Sequence, residues 1–419
     1  MTIDETAEAA APSGKVNPPT IVFLALLSPF GIPAGYLGVT LGYLLVHGGV
    51  SVGAIATMTA LSFIPQTFKL AWAPIVDITL TSKAWYVIGA VLVALGIIWS
   101  SILPTTPASM PMFTVLVVVT SFASTLCSMA SETFMANLDD HRKGMASGWS
   151  QAGNFAGSGL GGGLALWLAV HVHPSWVSGA VLGAVVLACC LALLLVREPP
   201  RLHLKPTVLA TFAEVVGDVW SVIRSRAGIL VLVLMMLPIG TGAAQSLWSS
   251  VAGDWRTGSN TVALANGALA GLVSIPGCLI GGWICDRLDR RLAYCLFGLV
   301  AGAALALMAL APRTPAMYVT FVLLYAAVIG ACYTAYSAVV LEAIGQGAAA
   351  TKFNLMASVS NMPIGAFIAL EGQWHDKGGA NLMLYGEAAA ALAAVLFFAV
   401  VIAAWPRRKL AAAEAATLN

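Results

Sequence analysis

The stretch LSFIPQTFKLAWAPIVD (residues 61–77) sets one lysine, Lys69, in an otherwise apolar run that also holds two prolines. On a soluble helix such a residue is an ordinary contact with water. In a bilayer it is a charge carried into hydrocarbon, so the meaning of the stretch depends on the solvent. Composition decides. Hydrophobic residues make up 59% of the 419-residue chain and charged residues 9%, against about 45–50% and about 25% in soluble domains. Mean hydropathy is +0.89. A soluble surface needs far more charge than this, so most of the chain is immersed in lipid.

A helix crosses the hydrocarbon with roughly 20 apolar residues. Twelve such runs begin near Ile21, Val52, Trp85, Met110, Met145, Trp176, Gly228, Thr261, Leu292, Ala316, Phe353 and Leu382. The alternating period of a membrane barrel is absent, which leaves helices as the spanning structure. The expected fold is an all-α integral membrane protein of twelve transmembrane helices.

Residues 1–20 are acidic and rich in Pro and Ala, with no basic leader, and read as a flexible tail. A polar connection, 197–227, falls at mid-chain, with six runs before it (21–196) and six after it (228–405), and a short tail follows (406–419). Within the connection, 208–223 has the pattern of an amphipathic surface helix.

Lys and Arg positions set the orientation. With the N-terminus in the cytoplasm, that side holds sixteen of the 20 basic residues, including Lys83, Arg142, Lys143 and Arg287. The other side holds Arg256, Arg313 and Lys377, and Lys69 is left in the membrane. Both termini are therefore expected in the cytoplasm. The formal net charge of +2 reflects these anchors and gives no reason to expect a nucleic acid partner.

The halves echo one another. Ile32-Pro33-Ala34-Gly35 in run 1 is matched by Leu237-Pro238-Ile239-Gly240 in run 7, an offset of 205 residues. At that offset Tyr36, Thr40 and Tyr43 align with Thr241, Gln245 and Trp248, and each triplet has i, i+4, i+7 spacing on one helix face. Ile64-Pro65 is echoed by Ile275-Pro276, and Asn154 by Asn361.

Six plus six runs with repeated halves is the plan of major facilitator transporters. GGWICDRLDRR (residues 281–291) resembles that superfamily's cytoplasmic signature, which usually follows span 2. The span 2 copy here keeps Asp77 and lacks the arginines. FKLAWAPIVD (68–77), after GIPAGYLG (31–38), is similar to the peptide/acetyl-coenzyme A transporter family, which includes muropeptide permeases. The resemblance implies alternating access in a bacterial inner membrane, with proton-coupled import of a bulky amphipathic solute such as a muropeptide. Siderophores, acyl-CoA compounds, export in place of import, and a non-transporting receptor remain open. No cofactor, metal or enzymatic activity is expected, and the chain is expected to act as a monomer.

The resemblance also implies a cavity lined by spans 1, 4, 7 and 10. The candidate solute contacts are Tyr36, Thr40, Tyr43, Gln151, Asn154, Thr241, Gln245, Trp248, Tyr333, Tyr336 and Asn361. Asp77, Asp286, Arg287, Arg290 and Arg291 would form a cytoplasmic gate. Glu132, seven residues before Asp139, lies about 10 Å inside the membrane, and Lys69 about 12 Å inside from the same face. Pairing would offset the desolvation that each meets alone, so Lys69 and Glu132 are the candidate proton-coupling residues. Glu342, Glu371 and Glu387 read as residues near span ends, in interfacial water.

The remaining motifs are structural. GSGLGGG (157–163) has no following Lys-Ser/Thr and is a helix-packing stripe. The seven cysteines fall in or beside apolar runs with no CxxC pair, and packing is their expected role. His171 and His173 read as ordinary interfacial residues.

The charge asymmetry predicts that cysteines introduced beside Lys83, Arg142 and Arg287 react with impermeant reagents only from the cytoplasm. Those beside Arg256 and Lys377 should react only from outside. One loop labelled from the wrong side breaks the six-plus-six topology.

Overall fold

The computed structural model of the protein describes residues 18–69, 71–72, 76, 79–198, 217, 220, 226–344 and 349–404. Asp77, residues 1–17 of the expected N-terminal tail, the expected tail 406–419 and nearly all of the 208–223 stretch lie outside them. Among the described residues the structure is helical, without strands. The elements are α1 (Val22–His47), α2 (52–67, bent at Ser62), α3 (Ser82–Ile102), α4 (Pro107–Ala136), α5 (140–171) and α6 (Trp176–Leu194). They continue with α7 (226–255, interrupted), α8 (Ser259–Cys285), α9 (Arg290–Leu310) and α10 (Pro315–Ile344). The last element, Ala349–Ala404, turns at Gly378 and Gly379 into α11 (349–377) and α12 (380–404).

Eight helices among the described residues are long and apolar enough to cross a membrane, and one of them carries both α11 and α12. The other positions of the twelve-run reading are filled by α2, α5 and α7, which are bent, widened or broken. Helix starts follow local chemistry. Ser51 caps α2 through the Ala54 amide, Thr81 caps α3 through that of Ala84, and Asp289 accepts from the Arg291 and Leu292 amides at the start of α9.

Two buried clusters correspond to the two halves. One gathers residues from Val22 to Val196, and the other gathers mainly residues from Val231 to Phe398. Val39, Tyr43, Val52, Ala56 and Leu166 of the first half belong to the second cluster and join the two. Leu95, Leu194, Leu279, Leu310 and Val400 stand exposed, as expected for side chains whose solvent is lipid.

Contacts between the halves lie from mid-depth to the end opposite Arg142, Arg287 and Arg290. The Gly53 amide of α2 donates to Asp376 Oδ2 of α11 at 3.1 Å. The Ser249 hydroxyl of α7 donates to the Gly38 carbonyl of α1. Between α5 and α8 the backbones of Gly163 and Gly267 touch, and a Cβ on Gly267 would fall on the Gly163 main chain. Closure on this side identifies the conformation as closed at the end that the charge asymmetry assigns to the outside.

Wide i→i+5 turns occur at Tyr36–Leu41, Leu160–Leu164 and Ala263–Leu269 and pack together at this seam. The Thr40 hydroxyl donates to the Gly161 and Gly162 carbonyls at 2.8 and 3.2 Å. It thereby serves carbonyl groups in a widened turn.

Gly267→Ala is expected to hold the halves apart at the outer end. Distance measurements between labels on α1 and α7 beyond Gly38 and Ser249 should show a longer population than in the wild type. An unchanged distribution removes the α5–α8 seam from the closure.

Candidate functional site

The site starts from an interruption in α7. Its first part, Arg226–Met236, ends before Pro238, which has no amide proton to continue a helix. Gly240 and Gly242 then take φ of +59° and +68°, and helical turns resume at Ala244–Ser246 and Trp248–Val251. Side chains satisfy part of the freed backbone. Tyr294 donates its hydroxyl to the Ile239 carbonyl at 2.6 Å, and Tyr318 donates to the Trp248 carbonyl at 2.8 Å. The Ala243 amide donates to Thr241 Oγ1 at 3.3 Å.

Beside this break is a pocket of about 380 Å³, lined by Ile239, Gly240, Thr241, Tyr333, Tyr336 and Ser360 among others. Ser360 donates to the Tyr336 hydroxyl at 3.4 Å. Tyr333 is 54% exposed although it sits well inside a 30-residue helix. A smaller cavity, about 280 Å³, lies in the first half between α1, α3 and α4 and includes Tyr36, Ser100 and Thr120.

The expected solute contacts divide into three groups. Gln151, Gln245 and Tyr333 are exposed, and Asn154, Tyr336 and Asn361 are half-buried. Tyr36, Thr40, Tyr43, Thr241 and Trp248 are buried. Thr40 is committed to the α5 carbonyls, Tyr43 stacks on His47 with ring centroids 4.0 Å apart, and Trp248 meets Tyr325 edge-on at 5.6 Å. In this conformation, therefore, these three are packing residues and not open cavity lining. The expected i, i+4, i+7 faces fail for a physical reason. A wide turn at Tyr36–Leu41 and the break in α7 each change the angular advance per residue.

On the basic side, Lys69 Nζ lies 3.4 Å from Glu132 Oε1, with side-chain exposures of 17% and 38%. Glu132 is four residues from the end of α4 at Ala136, nearer the interface than a count from Asp139 implies. One hydrogen bond from α4 and one from α3 hold both helices against α1 here. Ser131 and Tyr86 both donate to the Leu26 carbonyl, at 3.2 and 3.0 Å. An ion pair this open to water contributes up to about 1 kcal/mol, so it can be broken and remade.

Of the expected gate, Asp77 lies outside the described residues and Asp286 is exposed. Arg287 stacks 3.9 Å over the Trp283 ring and donates to the Trp283 carbonyl. Arg290 and Arg291 approach Glu342 of α10 at 3.6 and 4.0 Å. The described arginine pairs thus tie the α8–α9 turn to α10 within one half.

Two acids correct the sequence reading. Glu371 is 0% exposed and Glu387 6%, so neither is in interfacial water. The Tyr325 hydroxyl donates to Glu387 Oε1 at 2.6 Å, and Glu371 lies beside Glu387. The signal that could have found them is Gly378-Gly379. A two-glycine turn ends one helix and starts the next without a loop, which puts each acid about two turns inside.

With this geometry in hand, comparison with known proteins is direct. A model of the Major Facilitator Superfamily matches residues 21–370. The chain belongs to that superfamily. It is a membrane transporter and not an enzyme. It is 25% identical over 308 residues to the anhydromuropeptide permease of Escherichia coli strain K12, covering 69% of this chain and 60% of the permease. The match thus spans about three fifths of that relative's length. Among solved structures, the nucleoside transporter NupG superposes with a TM-score of 0.68 at 12% identity, covering 91% of this chain and 98% of that one. A D-xylose-proton symporter gives 0.66 at 15% identity, covering 90% and 95%. A POT family transporter in complex with a thioalcohol-conjugated peptide gives 0.68 at 13%, covering 91% and 95%. At these identities the likeness is one of fold.

Tyr333→Ala and Gln245→Ala are expected to weaken solute binding about tenfold each, or about 1.4 kcal/mol. Thr40→Val should leave affinity unchanged and lower the melting temperature, through loss of an interhelical bond on the order of 1 kcal/mol. Titration and melting of the same purified variants check both.

Proposed function

We propose that the protein is a proton-coupled importer of a bulky amphipathic solute, a muropeptide being the leading example, working by alternating access in the inner membrane with both termini cytoplasmic. The solute would sit beside the α7 break, where Thr241, Gln245, Tyr333 and Tyr336 offer aromatic faces and neutral hydrogen-bonding groups with few charges. Such a lining suits a sugar-peptide better than a polyanion, which needs several fixed cations. The permease relative supports the same solute class. We infer a monomer, since each half carries its own buried cluster and the two close on one another.

The observation that carries the coupling role is the Lys69–Glu132 pair. An embedded carboxylate must be paired, hydrated or protonated, and this one has a cation at 3.4 Å and partial access to water. Proton binding to Glu132 would discharge the pair and release Lys69. The solute would then meet a differently charged cavity in each conformation, which is what a coupled cycle requires.

In proteoliposomes, Glu132→Gln should abolish solute accumulation driven by a pH gradient and spare solute counterflow, which needs no net proton movement. Lys69→Ala should reduce accumulation too. Normal gradient-driven accumulation by Glu132→Gln assigns the coupling elsewhere. If the wild type moves none of a set of muropeptides, siderophores and CoA esters, the import reading falls.

A further inference from the structure

Glu371 and Glu387 belong to none of the roles above, yet their burial demands an account. Glu371 lies seven residues before Gly378 and Glu387 eight after Gly379, about 10 and 12 Å from the turn that joins α11 to α12. Both are therefore at one depth, on the side opposite Lys69 and Glu132. Neither oxygen of Glu371, and only Oε1 of Glu387, has a hydrogen-bond partner among the described residues. Two ionised carboxylates side by side without water repel strongly and lose their hydration together. The arrangement is stable only if a cation sits with them.

The neighbours decide which cation. From α10, Tyr325 donates to Glu387 and Cys332 stands nearby. From α7, Thr241 and the Ala244 amide lie beside Glu387, and Trp248 packs on Tyr325. From α9, Tyr294 stands beyond Cys332 and donates to Ile239. On the α2 side, Ala56 and Gly53 meet Gly372 and bring no ionisable group. Of the charged residues towards the turn, His375 pairs with Asp254 at 2.8 Å, Asp376 accepts from the Gly53 amide, and Arg313 donates to Asn381 and stacks over Trp255. Among the described neighbours none is basic. The groups turned to Glu387 include hydrogen-bond donors, which suit an anion and are poor ligands for a metal ion.

We propose that Glu371 and Glu387 form a proton-binding site, in which Glu371 carries the proton and gives it as a hydrogen bond to an ionised Glu387 held by Tyr325. Donors stand beside Glu387 and none of the described residues donates to Glu371, so the charge belongs on the first and the proton on the second. The site is separate from the Lys69–Glu132 pair and adjoins the α7 break through Thr241 and Ala244. Its ligand is a proton, and it is occupied at neutral pH in this closed conformation.

Infrared spectroscopy of the purified full-length protein in lipid, in water and in deuterium oxide, tests the site without any solute. The wild type should show a deuterium-sensitive C=O band of a buried protonated carboxyl at neutral pH. Glu371→Gln should lose it, and Glu132→Gln should keep it, which separates this site from the coupling role proposed above. Tyr325→Phe removes the donor that holds Glu387 ionised and should raise the band amplitude by up to twofold, as Glu387 takes a proton as well. A wild-type spectrum without the band overturns the site even if the variants fail to fold. Survival of the band in Glu371→Gln overturns it equally, and an unchanged band in Tyr325→Phe removes the charge from Glu387.

Discussion

Hydrocarbon offers no hydrogen bonds, and that constraint governs where this chain can depart from a regular helix. Among the described residues the largest departures are placed against protein. The break in α7 is covered by Tyr294, Tyr318 and Thr241, which serve its exposed backbone groups. The wide turns of α1, α5 and α8 meet at one seam, where Thr40 serves two carbonyls of α5. Irregular backbone is thus concentrated at the interface of the halves and beside the pocket, where side chains can replace water. The rest of the bundle can then be regular, apolar and outwardly featureless.

The same constraint sorts the embedded acids. Glu132 keeps some access to water and has Lys69 for company, so its charge is compensated from outside the carboxylate. Glu371 and Glu387 have neither among the described residues, and the compensation proposed for them is a proton. Glu342 lies at the end of α10 and is half open to water, where Arg290 and Arg291 reach it. Depth and partner, taken together, decide the chemistry of each carboxylate; residue type alone does not.

Much of this was legible in the sequence, because hydropathy and Lys/Arg placement report directly on the solvent. The apolar runs follow from hydropathy, and the approach of Lys69 to Glu132 from their similar depth below one face, although Glu132 lies nearer the interface than its count implies. The sequence reading failed where the count itself changed. Tyr36, Thr40 and Tyr43 were placed on one face at 3.6 residues per turn, but a widened turn runs through them. Trp248 follows the break at 237–243 and a single tight turn at Ala244–Ser246. The apolar runs put Glu371 and Glu387 near span ends, but the direct turn at Gly378 and Gly379 leaves each about two helical turns inside. Gly379, with φ +66° and ψ −170°, occupies a region open essentially to glycine alone, and so closes the connection in two residues.

That short connection has a mechanical meaning. Gly372, next to Glu371 in the chain, rests on Ala56 of the opposite half, and a few residues on the chain has already turned into α12. There is no slack between the surface that touches the other half and the helix that carries Glu387. Rocking of the halves at Ala56 would therefore move α11 and α12 together, since no loop lets one shift without the other. A rigid-body rotation would carry the two carboxyls as one unit, keeping their spacing fixed while the surface of α2 beside them changed.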